Sequence, residues 1–259
     1  MKQKSSSLSR RDFFQLAGAA AALTCIAGCE MAASTPPPTF TLPTFTPPAF
    51  TPPPNAQETT ALPLPANLHP AKAALFQLMV GNLRFAAGTP KHPHQDPQRR
   101  QELSAKQSPL AAILCCSDSR VPPEIIFDQG LGDLFIVRVA GNAAAFSDVI
   151  ASLEYAVDHL HTPLVLVLGH QNCGAVTAAL EGAELEGSLG KLIAAIKPAV
   201  ELSQHQPGDR LDNAIRTNIQ LSLKNILKFS PIIATAVQHG EVELSGAYYS
   251  LHSGRVEFL

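Results

Sequence analysis

Three short apolar runs, residues 110–115, 134–139 and 164–168, constrain this chain more than any other feature. Each is β-branched in part and apolar on both alternating faces, which is how strands covered on both sides of a parallel sheet read. Between the second and third, residues 146–161 carry Val149, Ile150, Leu153, Ala156, Val157 and Leu160 at helical spacing. Strand, helix and strand in that order predict a right-handed crossover. Helical periodicity also marks residues 68–87, 189–202 and 211–229. A short apolar helix is expected over 231–238, with Gly240 placed to stop it. Residues 241–249 alternate well enough for a strand, and 255–259 suit a further edge strand. The polar stretch KHPHQDPQRR reads as a loop. The predicted fold class is α/β, a single domain with a mainly parallel twisted sheet flanked by helices.

The chain ahead of this domain has a different character. Lys2, Lys4, Arg10 and Arg11 precede an apolar, alanine-rich run that ends near Gly28. That run is short and rich in small residues for a membrane span. A basic region followed by an apolar one reads as a signal peptide. The order Ser9-Arg10-Arg11-Asp12-Phe13-Phe14 resembles a twin-arginine export signal. Ile26-Ala27-Gly28-Cys29 resembles a bacterial lipobox, which implies that Cys29 is lipidated and becomes the mature N-terminus. Ordinary cleavage to a soluble secreted protein is the competing reading. Next come Pro, Thr and Phe, as in TPPPTFTLPTFTPPAFTPPP. Proline lacks an N–H and fixes φ, so this stretch reads as an extended, semi-rigid spacer of about 3.1 Å per residue. The expected organisation is a signal peptide over 1–28, a Pro/Thr-rich linker over 29–65 and the folded domain over 66–259. The expected location is outside the cytoplasm, facing the periplasm or the cell exterior, with membrane contact only through the N-terminal lipid.

A formal net charge of −2 offers no basic stripe to neutralise phosphates, so no nucleic-acid partner is expected. The informative residues are the cysteines. Of five, processing removes Cys25 and lipidates Cys29, leaving Cys115, Cys116 and Cys173. Three thiols cannot form a complete disulfide framework. Cys116 lies at the end of the first strand, His170 ends the third, and Cys173 follows at an expected helix start. In an open parallel sheet the carboxyl ends of the strands form the binding crevice, so these side chains can converge. Two thiolates and one imidazole suit zinc and leave a fourth tetrahedral position for water. Spacing alone leaves a second reading open, in which the cysteines are small buried hydrophobes. Successive strand residues face opposite sides, so if Cys116 faces a metal, Cys115 faces the core. Asp118 and Arg120, two apart, share one side of an extended segment with Cys116. They are either a carboxylate and guanidinium beside the metal or a plain surface ion pair.

Cys116-Ser-Asp118-Ser-Arg120 together with His170-Gln-Asn-Cys173-Gly174 resembles the paired motif of the β-class carbonic anhydrases. The similarity extends through Gly81-Asn82-Leu83-Arg84-Phe85, VPPEIIFDQGLGDLFIVRVAGN, SLEYAV, VLGHQNCGAV and the terminal Gly254-Arg255-Val256-Glu257-Phe258-Leu259. The resemblance implies one Zn²⁺ per chain, held by Cys116, His170 and Cys173, with Asp118 and Arg120 as a catalytic dyad. It implies reversible hydration of carbon dioxide to bicarbonate and a proton by zinc-bound hydroxide, in a homodimer or higher even oligomer. Asp118 is a possible fourth ligand in a closed form of the site. Two thiolates cancel the formal charge of the metal, so hydration is expected to favour alkaline pH. The chain has no Trp, so a distal bicarbonate site built from Trp, Arg and Tyr is incomplete even though Arg138 is available. Two rival readings use the same residues. One is a hydrolase of carbonyl sulfide or carbon disulfide. The other is a non-catalytic zinc- or bicarbonate-binding surface module, which has no need of Asp118 and Arg120 together.

Overall fold

The computed structural model describes residues 68–183 and 185–259. The expected signal segment, Cys29 and the spacer lie outside the described residues. In chain order the elements are α1 (Pro70–Ala86), α2 (Pro97–Glu102), β1 (Ala111–Cys115), α3 (Pro123–Ile126), β2 (Leu134–Arg138), α4 (Ser147–Asp158) and β3 (Leu164–His170). Then follow α5 (Gly174–Leu180), α6 (Gly187–Ser203), α7 (Arg210–Phe229), α8 (Pro231–Gln238), β4 (Glu243–Tyr249) and β5 (Val256–Phe258). The strands form one sheet in the order β2-β1-β3-β4-β5. The first four are parallel and β5 closes the edge antiparallel to β4.

Period-two alternation divides the core between the two sides of this sheet. Ala112, Leu114, Val165 and Val167 face one side, where Leu153 of α4, Val176 of α5, Ile196 of α6 and Ile215 and Ile219 of α7 cover them. Ala111, Ile113, Leu164, Leu166 and Leu168 face the other, under Leu78 of α1, Ile126 of α3 and Phe127. Full burial of such side chains contributes about 1.5–3 kcal/mol each. The helix ends follow local chemistry. Asp209 caps α7 by accepting from the Asp212 N–H at 2.8 Å. Ser230 caps α8 through the Ile233 N–H. Gly240, at φ +73°, ends α8 as expected: its N–H donates to the Val237 carbonyl and the Glu241 N–H to that of Ala236.

The structure differs from the sequence reading in three places. The polar stretch after α1 is not all loop, because Asp96 caps a short helix by accepting from the Arg99 N–H and Pro97 takes its first position. The second apolar run is only half-buried, since β2 is the sheet's edge strand. Residues 116–120 do not continue as an extended segment. The Arg120 N–H donates to Asp118 Oδ1 at 2.9 Å and the Val121 N–H to the Asp118 carbonyl, so the chain turns here.

Helix α1 is fastened where the sequence reads Gly-Asn-Leu-Arg-Phe. Asn82 is buried; its Nδ2 donates to the Ile126 and Gly254 carbonyls, and its Oδ1 accepts from the Val256 N–H. Arg84 pairs with buried Asp128, which also accepts from the Lys91 and His92 N–H groups. Gly81 lets the helix lie directly on the chain after α3, since a Cβ there would stand 1.7 Å from the Phe127 carbonyl oxygen. Gly81→Ala should therefore destabilise the domain by about 1–3 kcal/mol in urea or thermal unfolding. A loss under about 0.5 kcal/mol, the range of ordinary surface changes, would contradict this close approach.

Candidate metal centre

The register of β1 with β3 brings the two distant motifs together. Cys115 pairs with Leu168, so the chain just past β1 lies beside the last residues of β3. There Cys116 Sγ, His170 and Cys173 Sγ present ligand atoms that all lie within 4.8 Å of one another. All three residues are buried, at 4 %, 0 % and 1 % exposure. Cys173 reaches the group because Asn172 adopts φ +54° and turns the chain before α5. Cys115 points the other way, into the opposite core layer, as the strand period requires. Burial pushes the Cys115 thiol up to about 12 although Arg138 opposes it, so it stays protonated.

His170 Nδ1 lies 2.9 Å from the Gln171 carbonyl. A carbonyl can only accept, so Nδ1 carries the hydrogen and Nε2 keeps its lone pair. That Nε2 is buried with no hydrogen-bond partner. A buried acceptor of this kind is costly unless something else fills its lone pair. The thiols respond to each other. The hydrogen bond from Cys173 draws the Cys116 thiol well below its ordinary value, and burial opposes this. The Gly141 and Asp118 backbone groups add to the lowering. Cys173 is driven upward because it holds the shared proton against a neighbouring thiolate and is itself buried. Zinc fits this donor set: soft thiolates, an imidazole with a fixed tautomer, and a lone pair that nothing in the protein satisfies. Among the described residues no other such group of ligands occurs.

Asp118 stands beside the group without joining it, its Oδ2 3.9 Å from His170 Nε2. Arg120 grips it from the outside, donating from Nε to Oδ1 at 2.9 Å and from Nη2 to Oδ2 at 2.7 Å. The Arg120 guanidinium holds the Asp118 carboxyl far below the usual carboxylate range, against the opposing effect of burial. Arg120 Nη2 also donates to the Asn172 carbonyl at 3.3 Å, which ties the two motifs across the sheet end. Arg138, at the end of β2, donates to the Cys116 carbonyl at 3.2 Å and the Asp118 carbonyl at 2.6 Å. So the guanidinium noted in the sequence as free for a distal site instead braces the chain that carries Cys116 and Asp118.

Gly141 is a contact the sequence reading did not single out. Its N–H donates to Cys116 Sγ at 3.2 Å. The available signal was a glycine just after the second strand, in Val-Ala-Gly-Asn, where the crevice of a parallel sheet lies. His92, His94 and His159 are exposed, whereas the ligand group is buried.

Comparison with known proteins agrees with this geometry. A sequence model of the carbonic anhydrase family matches residues 111–256. The chain is 41 % identical over 187 residues to carbonic anhydrase 2 of Mycobacterium tuberculosis, a match covering 71 % of this chain and 90 % of that protein. It resembles the solved structure of the β-carbonic anhydrase CcaA at TM-score 0.56 and 30 % identity, over 72 % of this chain and 92 % of that one. One of two tetrameric β-carbonic anhydrases from Sordaria macrospora superposes at TM-score 0.58 and 26 % identity, over 71 % of this chain and 96 % of that one. The chain therefore belongs to the carbonic anhydrase family, in its β class.

Proposed function

We infer that this protein is a zinc-dependent carbonic anhydrase that interconverts carbon dioxide and bicarbonate. The observation that carries the inference is the buried Cys116–His170–Cys173 group with an ionised carboxylate beside it, in a chain of this family. When bound, zinc supplies the Lewis acidity that lets a water lose a proton near neutral pH. The residues around it do the rest. Cys116, His170 and Cys173 would hold the ion and leave one position open. Asp118 is ionised, so it only accepts hydrogen bonds. It would accept a hydrogen bond from the attacking oxygen and so point that oxygen's lone pair at the carbon of carbon dioxide. Arg120 keeps the carboxylate in that orientation and away from the metal ligands. A module that merely bound zinc or bicarbonate would have no use for so firmly held a carboxylate.

The reading extends to assembly and location. A homodimer or larger even oligomer is supported by the tetrameric state of the Sordaria macrospora enzymes. Export on the twin-arginine route is supported by Arg10 and Arg11 ahead of an apolar run, and lipid anchoring by Cys29 after Ile-Ala-Gly. With residues 1–28 removed, the lipid on Cys29 would hold the membrane and the 29–65 linker would stand the 66–259 domain off its surface.

Metal analysis separates the three cysteines of the domain. Cys173→Ser should lose zinc and activity together, whereas Cys115→Ser should keep the metal; equal metal content in the two variants would contradict the ligand assignment. Asp118→Asn should keep fold and zinc while turnover falls about 10²-fold or more, as for an attacking group no longer held in line. Full carbon dioxide hydration by that variant in stopped flow would remove Asp118 from its role. Cys29→Ala should shift the protein from the membrane to the soluble fraction, and an unchanged membrane fraction would end the lipid-anchor reading.

A further inference from the structure

A path of hydrogen bonds leads out of the metal centre into α7. It begins at the Gly141 N–H on Cys116 Sγ. Gly141 and Asn142 both sit in the left-handed region, at φ +67° and +45°. A Cβ on Gly141 would stand 2.6 Å from Ile196 Cδ1 and 3.2 Å from Ala175 Cβ, so the turn is pressed close against α5 and α6. Two successive left-handed residues, one of them not glycine, are disfavoured and persist only when their surroundings hold them.

What holds them is one face of α7. Asn218 Nδ2 donates to the Gly141 carbonyl at 2.7 Å. One helical turn later, Ser222 Oγ donates to the Asn142 carbonyl at 2.9 Å and accepts from the Ala144 N–H at 3.4 Å. Asn218 and Ser222 are each 2 % exposed and share the buried face of the helix with Ile215, Ile219 and Ile226. An amide and a hydroxyl on such a face are unfavourable unless paired. Both are paired, and every partner lies in the short turn that carries the Gly141 N–H.

We propose that Asn218 and Ser222 are positioning residues of the metal centre. They fix the 140–144 turn so that the Gly141 N–H stays on Cys116 Sγ, and that hydrogen bond moderates the sulfur's electron donation to the metal. The inference rests on Cys116 being a zinc ligand. Groups just outside the ligands orient them and tune the ion, and their loss costs about 10–100-fold in metal affinity or activity.

The test uses the full chain with cobalt(II) in place of zinc, because a thiolate bound to cobalt gives a sulfur-to-metal charge-transfer band. Asn218→Ala and Ser222→Ala should move that band to longer wavelength, since a sulfur relieved of its hydrogen bond is a better donor. In the zinc-loaded chain both should shorten metal retention against a chelator about tenfold or more, because the lost orientation of Cys116 Sγ outweighs its stronger donation. Ser222→Thr keeps the hydroxyl and should restore band and retention. Ile226→Val, on the same helix, should lower the melting temperature and change neither. The proposal is overturned if both alanine variants match the parent in band and retention, or if Ile226→Val moves them as far. Should Asn218→Ala fail to fold, the Ser222 pair decides alone. A parent chain with no charge-transfer band would overturn the zinc–thiolate reading itself, which is distinct from a band present and unmoved.

Discussion

The pairing of β1 with β3 is the constraint on which the site depends. Its parallel register puts Cys115 opposite Leu168, so that Cys116 and His170 emerge at the same end of the sheet. A slip of one residue would exchange the faces of β1. Cys115 would then point toward the ligand side and Cys116 into the core beneath α1. The register is secured by burial rather than by the site, because Ala111–Cys115 and Leu164–His170 are buried at every position. Core packing thus brings the metal ligands together at one end of the sheet.

Around the ligands the backbone is held in conformations that ordinary packing would not select. Asn142 and Asn172 both adopt positive φ, and each stands next to a residue that touches the metal group. Asn is the side chain that tolerates this region best after glycine. Both turns are braced through their carbonyls, Asn142 by Ser222 and Asn172 by Arg120. Strain of this kind is maintained only where surrounding hydrogen bonds over-determine it. The same logic explains Arg138, which donates to the carbonyls of Cys116 and Asp118 and so stiffens the turn inside the first motif.

Much of this was legible in the sequence, and the failures have physical causes. Period-two alternation separates Cys116 from Cys115 before any coordinates are known, because a strand offers only two faces. Apolar runs give the strands, but not that β2 is an edge, since edge and interior strands differ in their neighbours and not in their own pattern. Asp118 and Arg120 were read correctly as neighbours and wrongly as extended. The carboxylate competes with strand geometry by capturing the N–H two residues on, and that competition has no hydrophobic period to reveal it. Asn218 and Ser222 left a faint trace. They fall four apart on the buried stripe of α7, where isoleucine would be the ordinary occupant. The strained turn that lies against them is visible only in the folded chain.

The hydrogen bonds at Asp118 also divide the work of its two oxygens. Oδ1 accepts from the Arg120 N–H and from Arg120 Nε, both at 2.9 Å, which uses both of its lone-pair directions. Oδ2 accepts from Arg120 Nη2 and keeps a lone pair, and it is this oxygen that lies 3.9 Å from His170 Nε2. One oxygen anchors the carboxylate while the other remains available to the site. A closed form, with Asp118 as a fourth ligand, would have to turn Oδ2 away from a guanidinium that holds both oxygens at once. Arg120 is half exposed, its side chain 52 % accessible, and an exposed ion pair by itself is worth little. What keeps the carboxylate back is the combination of that pair with the backbone N–H of the same residue. The turn at Asp118, rather than the charge of Arg120 alone, holds the carboxylate back from Cys116, His170 and Cys173, the residues that would hold the zinc.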